Sequence, residues 1–183
     1  MLTAAGVRFD QRPAPIDEAE VKAAMRADGV APGDAALALA EIKARRIAGQ
    51  ASTRLVLGAD QILTCENDWF DKPHDLAEAR RQLEALAGRR HELWTAAIVV
   101  RDQGRIWHEI AQARLWLRPC SAAFLDAYLD AVGELALGSV GAYQIEGLGA
   151  QLFSRIEGDR FAILGLPLLG LLECLRVQGV LLR

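Results

Sequence analysis

The chain has 183 residues, of which 52% are hydrophobic and 25% charged, so it can bury a core as one domain or two small lobes. Its net charge of −3 argues against a general nucleic-acid-binding protein, which normally carries a basic face or tail. The first residues form no charged-then-apolar leader, and polar and helix-breaking residues interrupt the longest apolar run. We therefore expect a cytoplasmic protein with neither a nucleic-acid nor a membrane partner.

The N-terminal segment predicts the end of a helix, a strand and a second helix. Residues 1–5 resemble a last helical turn closed by Gly6, and no beginning to that helix is present, so we expect the reading frame to start upstream. Residues 7–12 alternate as a short strand. Asp17 is expected to cap a helix that has Glu18 in its first turn, where an acid either complements the helix dipole or serves a function.

The next predicted helix begins at Pro32 and carries Lys43 outside its apolar stripe. The chain uses 18 arginines but only three lysines, Lys22, Lys43 and Lys72. A lysine in such a chain is either a chance survivor or a position that requires a compact ammonium group.

Residues around Asp60 are the most informative part of the chain. The apolar run at 55–57 predicts a buried strand, and Gly58 then lets the backbone approach another element closely. An acid at the carboxyl end of a strand in an open α/β sheet is placed like a general base or a metal ligand, and the alternative is a helix or turn cap. Residues 62–70 predict a hairpin that returns Lys72 towards Asp60.

The central part of the chain predicts two helices and a long hairpin. Asp75 begins a capping box for a helix, and residues 91–101 and 105–117 read as strands joined at residues 102–104. Ser121 is expected to cap a further helix.

The C-terminal part predicts a loop, two strands and a last helix. The glycine-rich segment 138–149 matches neither a GxGxxG motif nor a P-loop, and predicts a loop for close backbone approach. Strands are expected at 151–156 and 161–164, and a helix at 168–176. No repeat or linker interrupts the chain, so we expect a single domain over residues 1–183.

Four ionisable residues on different predicted elements form a candidate site. Acidic and amine side chains alternate along the chain in this set, which consists of Glu18, Lys43, Asp60 and Lys72. Such a combination suits a metal-bound polyphosphate. Carboxylates can hold a divalent ion, ammonium groups can neutralise phosphate oxygens, and one acid can activate water.

Several short motifs extend this pattern along nearly the whole chain. They are IDE at 16–18, EIKA at 41–44, GADQ at 58–61, DKP at 71–73, GRRHE at 88–92, YQIEGLG at 143–149, and IEGD followed by ILGLPL. In this order they resemble the Maf family of nucleoside triphosphate pyrophosphatases. The resemblance implies an α/β fold with a twisted mixed central sheet, flanked by helices in two lobes with a cleft between them.

The resemblance also implies an activity: hydrolysis of the α–β phosphoanhydride to a nucleoside monophosphate and pyrophosphate, with Mg²⁺ or Mn²⁺, in cleansing of the nucleotide pool. By position, Asp60 resembles the proton acceptor and a metal ligand, and Glu18 a metal-associated acid. Lys43 and Lys72 resemble phosphate contacts. Gln61 and Glu146 resemble substrate contacts of the branch that acts on 7-methyl-GTP; dTTP and UTP are the alternative substrates.

Members of this family begin with an apolar strand and a Ser-x-x-Arg-Arg turn, and this sequence begins after them. A non-catalytic nucleotide-binding protein, or a septum-related regulator, is therefore the competing expectation. A homodimer is expected if a strand edge or apolar patch is exposed.

Overall fold

The computed structural model describes residues 1–49, 54–102 and 104–182. The α-helices within them are α1 (Glu18–Ala27), α2 (Pro32–Ala48), α3 (Leu76–Leu86), α4 (Ala122–Val132), α5 (Arg160–Ile163) and α6 (Leu168–Val177). The strands are β1 (Val56–Cys65), β2 (Asp68–Phe70), β3 (Arg90–Arg101), β4 (Gly104–Leu117) and β5 (Phe153–Glu157). The predicted α/β fold class is confirmed.

Three helices begin at the polar residues that the sequence assigns as caps. The side chains of Asp17, Asp75 and Ser121 each accept the backbone N–H three positions later, at 3.0, 2.7 and 3.2 Å. Such a bond satisfies one of the unpaired N–H groups of a first helical turn and is worth about 1 kcal/mol. These three cap predictions are confirmed.

The five strands form one sheet in the order β2-β1-β3-β4-β5. β1 and β2 pair antiparallel, with Leu63 opposite Phe70 and Cys65 opposite Asp68, which confirms the hairpin predicted over residues 62–70. β4 and β5 also pair antiparallel. β3 and β4 are neighbours, as predicted, but Gln103 of the predicted turn lies outside the described residues.

The chain divides into two compact units. The first comprises Met1–Gln61, Trp94–Gln112 and Asp159–Arg183, and the second Ile62–Leu93 and Ala113–Gly158. In the first unit the middle of β3 is buried on both faces, because successive side chains of a strand point to opposite sides. Ala97 and Val99 pack into one apolar cluster with residues of α6, and Ile98 and Val100 into another with residues of α2.

Two predicted strands are wrong. Residues 161–164 are not a strand, because Asp159 accepts the N–H of Ala162 at 2.7 Å and begins helix α5 (Arg160–Ile163). Residues 7–12 form no strand in the described structure, since only Val7 is buried and the residues after it stay exposed. The predicted helical turn before Gly6 is a 3₁₀ segment, Thr3–Ala5, and Gly6 closes it with φ of 76°.

No helix within the described ranges is both long and apolar enough to cross a membrane.

Candidate active site

Asp60 is placed by the close packing of β1 on α2. A side chain at Gly58 would overlap the carbonyl oxygen of Ala40 and come within 2.9 Å of the Ala44 Cβ atom, so only glycine lets the two elements touch here. Asp60 lies two residues further along β1 and therefore points to the same face, towards α2. The prediction that Asp60 follows the end of the strand is wrong, because β1 continues to Cys65.

Lys43 of α2 joins two of the predicted acids. Its Nζ lies 2.6 Å from Oδ1 of Asp60 and 2.8 Å from Oε1 of Glu18. The Asp60 side chain is only 7% exposed, whereas Lys43 is 21% and Glu18 42% exposed. Glu18 reaches Lys43 from the first residue of α1, a position that the Asp17 cap fixes. Three of the four residues of the predicted acid–amine set therefore meet within the first unit.

Burial and charge act in opposite directions on this pair. Burial raises the pKa of the Asp60 carboxyl above its ordinary 3.8, and the hydrogen bond and charge of Lys43 offset part of that rise. Burial alone would lower the pKa of Lys43, but its bonds to Asp60 and Glu18 raise it above the ordinary 10.5. Lys43 thus remains the cation, and Asp60 is a stronger base than a surface aspartate.

The second carboxylate oxygen of Asp60 is available to bind another group. Oδ2 is buried and has no hydrogen-bond partner in the described structure. A buried carboxylate oxygen without a hydrogen bond lowers the stability of the fold unless another group binds it. Such an atom therefore points to a binding partner. A proton, a water molecule or a hard cation would satisfy this atom.

The two carboxylates fit a divalent cation only in part. No group of three or more His, Cys, Asp or Glu side chains is arranged for a metal within the described ranges. Mg²⁺, however, is commonly held by one or two protein carboxylates together with substrate phosphates and water. Asp60 and Glu18 supply such oxygens, so the donor set suits a metal that arrives with a polyphosphate.

Gln61 lies next to Asp60 in β1 but makes its contacts elsewhere. Its Nε2 lies 2.7 Å from the Thr95 hydroxyl, 3.1 Å from the Ala162 carbonyl oxygen and 3.3 Å from that of Ile163. Thr95 is 1% exposed and its hydroxyl donates to the same Ala162 oxygen at 2.8 Å. Gln61 therefore does not share the contacts of Asp60.

The remaining two predicted site residues belong to the second unit. Lys72 is exposed and lies two residues after the end of β2, and Glu146 is exposed in the turn after Tyr143. Their assignment as substrate contacts stays a prediction.

The loop that contains Glu146 is fixed by buried groups. The Tyr128 hydroxyl accepts the backbone N–H of Gln144 at 3.0 Å and donates to the Ala142 carbonyl at 3.2 Å. A side chain at Gly149 would come within 2.6 Å of the Gln144 backbone oxygen, so the chain crosses itself here at the closest approach that glycine permits. The loop presents Glu146 from a defined backbone.

The first unit also contains a cavity of about 600 Å³. Apolar side chains of β1 and α6 line it, among them Leu57 and Leu171, with Arg8 and Arg12 also in the lining. Ala59 contributes to the lining and Asp60 does not. The Asp60 carboxylate therefore does not face this cavity.

Comparison with known proteins shows the family of this chain. The model of the Maf-like protein family matches residues 1–178. The chain belongs to the Maf-like family. It is 50% identical to a nucleoside triphosphate pyrophosphatase of Paramagnetospirillum magneticum over 181 residues, covering 99% of this chain and 93% of the relative. A protein of the same description from Rhodospirillum rubrum is 50% identical over 182 residues, covering 100% and 90%. A 7-methyl-GTP pyrophosphatase of Rhizobium meliloti is 46% identical over 181 residues, covering 99% and 91%.

In this Maf-like chain, two residues that interact with predicted site residues were not predicted from the sequence. The charge of Lys22 lowers the pKa of Asp60. Lys22 lies four residues after Glu18 on α1, and this spacing, which puts both residues on one face of the helix, could have indicated that Lys22 lies near the site. Thr95 holds Gln61, and no local pattern indicates this, because Thr95 lies 34 residues away in sequence.

Proposed function

We propose that this Maf-like chain hydrolyses nucleoside triphosphates at the α–β phosphoanhydride, with Asp60 as the general base. The observation that carries the proposal is the Asp60 carboxyl, which is buried, has a raised pKa, and binds Lys43 through one oxygen while the other is unpartnered. The names of its relatives, at 50% identity over the whole chain, support the same reaction class.

In the proposed reaction, a water oxygen forms a bond to one of the two phosphorus atoms of the α–β phosphoanhydride. The bond between that phosphorus and the bridging oxygen breaks, and the bridging oxygen leaves with the other phosphate group. Asp60 takes the proton that this water loses, and the products are a nucleoside monophosphate and pyrophosphate. Lys43 neutralises charge on the phosphate oxygens, and Lys72 is proposed as a second such cation. A divalent ion held by Asp60 and Glu18 would supply charge neutralisation at the phosphates.

The substrate that we propose is 7-methyl-GTP, with dTTP and UTP as the alternative. Gln61 and Glu146 support this choice, and so do two relatives named as 7-methyl-GTP pyrophosphatases, each 46% identical. A site that hydrogen-bonds one base rejects a base that leaves its buried polar groups unpaired, so a panel of nucleotides should give a clear leader.

The test is turnover of GTP, 7-methyl-GTP, dTTP, UTP, ATP and CTP with Mg²⁺, followed by detection of pyrophosphate. Asp60→Asn should lower the rate ~10²–10⁴-fold, because an amide keeps the size of the carboxylate but cannot take the proton. Asp34→Asn, on the exposed first turn of α2, is the matched control and should retain the wild-type rate.

Thermal unfolding of both variants separates catalysis from folding. Asp60→Asn should be as stable as the parent, because burial disfavours the carboxylate charge that the variant removes. An Asp60→Asn protein that keeps more than about a tenth of the parent's rate would exclude Asp60 as the base. Nucleotide binding without turnover by the wild type would instead support a non-catalytic binding protein.

A further inference from the structure

Asp60 and Trp94 lie on the same face of two neighbouring strands. Gln61 of β1 and Thr95 of β3 meet across the strands, with Nε2 of Gln61 2.7 Å from the Thr95 hydroxyl. Because successive side chains of a strand point to opposite faces, the residues before these two, Asp60 and Trp94, both point to the other face. That face is covered by α2, from which Lys43 binds Asp60. Side chains at such positions of adjacent strands are within reach of each other, so Trp94 borders the proposed base.

The contacts of the indole ring set the direction of its N–H group. A side chain at Gly33, in the first turn of α2, would come to 3.0 Å from Cε3 of Trp94 and to 3.1 Å from Ile110 of β4. The Cε3 edge of the ring therefore faces Gly33 and the β4 side of β3. In an indole, Nε1 lies on the opposite long edge from Cε3. Because β1 and β4 flank β3 on opposite sides, Nε1 is turned towards β1.

Two atoms on this face are buried and lack a hydrogen-bond partner among the described residues. One is Nε1 of Trp94 and the other is Oδ2 of Asp60. An indole N–H can only donate and an ionised carboxylate can only accept, so a partner common to both must accept from one and donate to the other. A water molecule does both, whereas a phosphate oxygen or a metal ion serves only one of them. A carboxylate oxygen has two acceptor sites, so a water on Oδ2 still leaves one site for a divalent ion.

We propose that Trp94 holds the water molecule that Asp60 deprotonates, by donating its indole N–H to the water oxygen. The inference rests on the proposed function. The water donates one hydrogen to Oδ2 and accepts from Nε1, which leaves one lone pair of its oxygen to form the bond to phosphorus. Asp60 takes the proton that the water loses, and Trp94 keeps its own. Lys43 and Glu18, which are 21% and 42% exposed, form the solvent side of the site, so water enters past them.

The direct test observes the indole proton in the folded protein without substrate. The chain has four tryptophans, and nitrogen-15 labelling of tryptophan gives one indole N–H signal for each. The Trp94 signal is assigned by its loss in Trp94→Phe or, if that variant does not fold, by elimination with single Phe variants at the other three positions. A dipolar cross-peak from water to the Trp94 indole proton is expected in the wild type. It should be lost in Asp60→Leu, because a buried water needs at least two partners.

The kinetic test measures kcat and KM separately with each nucleotide that the wild type hydrolyses. Trp94→Phe keeps an apolar ring but removes the donor, so kcat should fall about tenfold, the equivalent of one hydrogen bond, while KM stays unchanged. Trp107→Phe is the matched control and should keep the wild-type kcat. Trp107 is also half-buried on a strand of the first unit, but it packs into the cluster with residues of α6 on the other face.

Two sets of outcomes would overturn the inference. A wild type without the water cross-peak at Trp94, or a cross-peak that Asp60→Leu leaves in place, would show that the two residues share no water. An unchanged kcat in folded Trp94→Phe would show that the reaction does not use the donor, and a raised KM beside it would assign the N–H to a substrate phosphate instead. A wild type that hydrolyses no nucleotide would overturn the proposed function. The cross-peak needs no turnover, so the two failures remain distinguishable.

Discussion

Acidification should destabilise this protein through a single buried histidine. His91 lies on β3, is 1% exposed, and has its Nε2 3.0 Å from the Tyr143 hydroxyl, while Nδ1 has no partner among the described residues. Burial lowers the pKa of His91 from 6.5 to about 4, and burial also raises the pKa of Tyr143. Both groups are therefore neutral near pH 7, and protonation would introduce an unpaired charge into an aromatic cluster that includes Phe153.

The sign and size of the effect follow from linkage. A histidine whose pKa is lower in the folded state binds fewer protons than the unfolded chain between the two pKa values, so stability falls as pH falls through that interval. The full difference corresponds to roughly 3 kcal/mol, of which about 2 kcal/mol should be lost between pH 7 and pH 5. That is a large share of the 5–15 kcal/mol that is typical of a domain.

The assay is urea unfolding of the wild type, His91→Gln and His108→Gln at both pH values. Carboxylates titrate in all three proteins, so the comparison isolates the histidine. His91→Gln should have lower stability at pH 7 but a pH-dependent loss smaller than that of the wild type by about 2 kcal/mol. His108 is exposed, and its variant should behave as the wild type does. Equal losses in the wild type and His91→Gln would refute the neutral buried state of His91.

Helix starts were predictable from the sequence because a cap is a local bond. Asp17, Asp75 and Ser121 each bind a backbone N–H three residues away, and this spacing is visible in the chain. Helix α5 follows the same rule from Asp159, yet it was predicted as a strand. Its four residues are too few to show a helical period, and two of the four, Phe161 and Ile163, are typical of strands.

The candidate site was predictable in its residues and less so in its geometry. Glu18, Lys43 and Asp60 were grouped because acids and amines together suit a metal-bound polyphosphate, and the family motifs supported that grouping. No spacing rule, however, brings together residues 17 positions apart on different elements. The extent of β1, and hence the position of Asp60 within the strand, depends on pairing with β2. The partners of Gln61 depend on contacts that span 34 and 101 residues, which no single-sequence pattern encodes.

Three further changes test the packing and charge of the site. Gly58→Ala should lower the free energy of unfolding by about 1–3 kcal/mol, because the added methyl group overlaps the Ala40 carbonyl; chemical unfolding at parental stability would contradict this packing. Lys72→Arg should lower kcat/KM if a compact ammonium contacts phosphate, and full activity would make Lys72 an ordinary surface residue. Lys43→Met should raise the pKa of Asp60 further, because Lys43 supplies both the hydrogen bond and the nearest charge that hold it down, while burial is retained. Carbon-13 NMR titration of the aspartate carboxyls measures this shift without turnover, and Asp60 should then protonate at higher pH in the variant than in the parent. The acidic limb of kcat/KM should move in the same direction, since the base must lose its proton before it can accept one from water. An Asp60 titration that Lys43→Met leaves in place would mean that the ion pair does not control the proposed base.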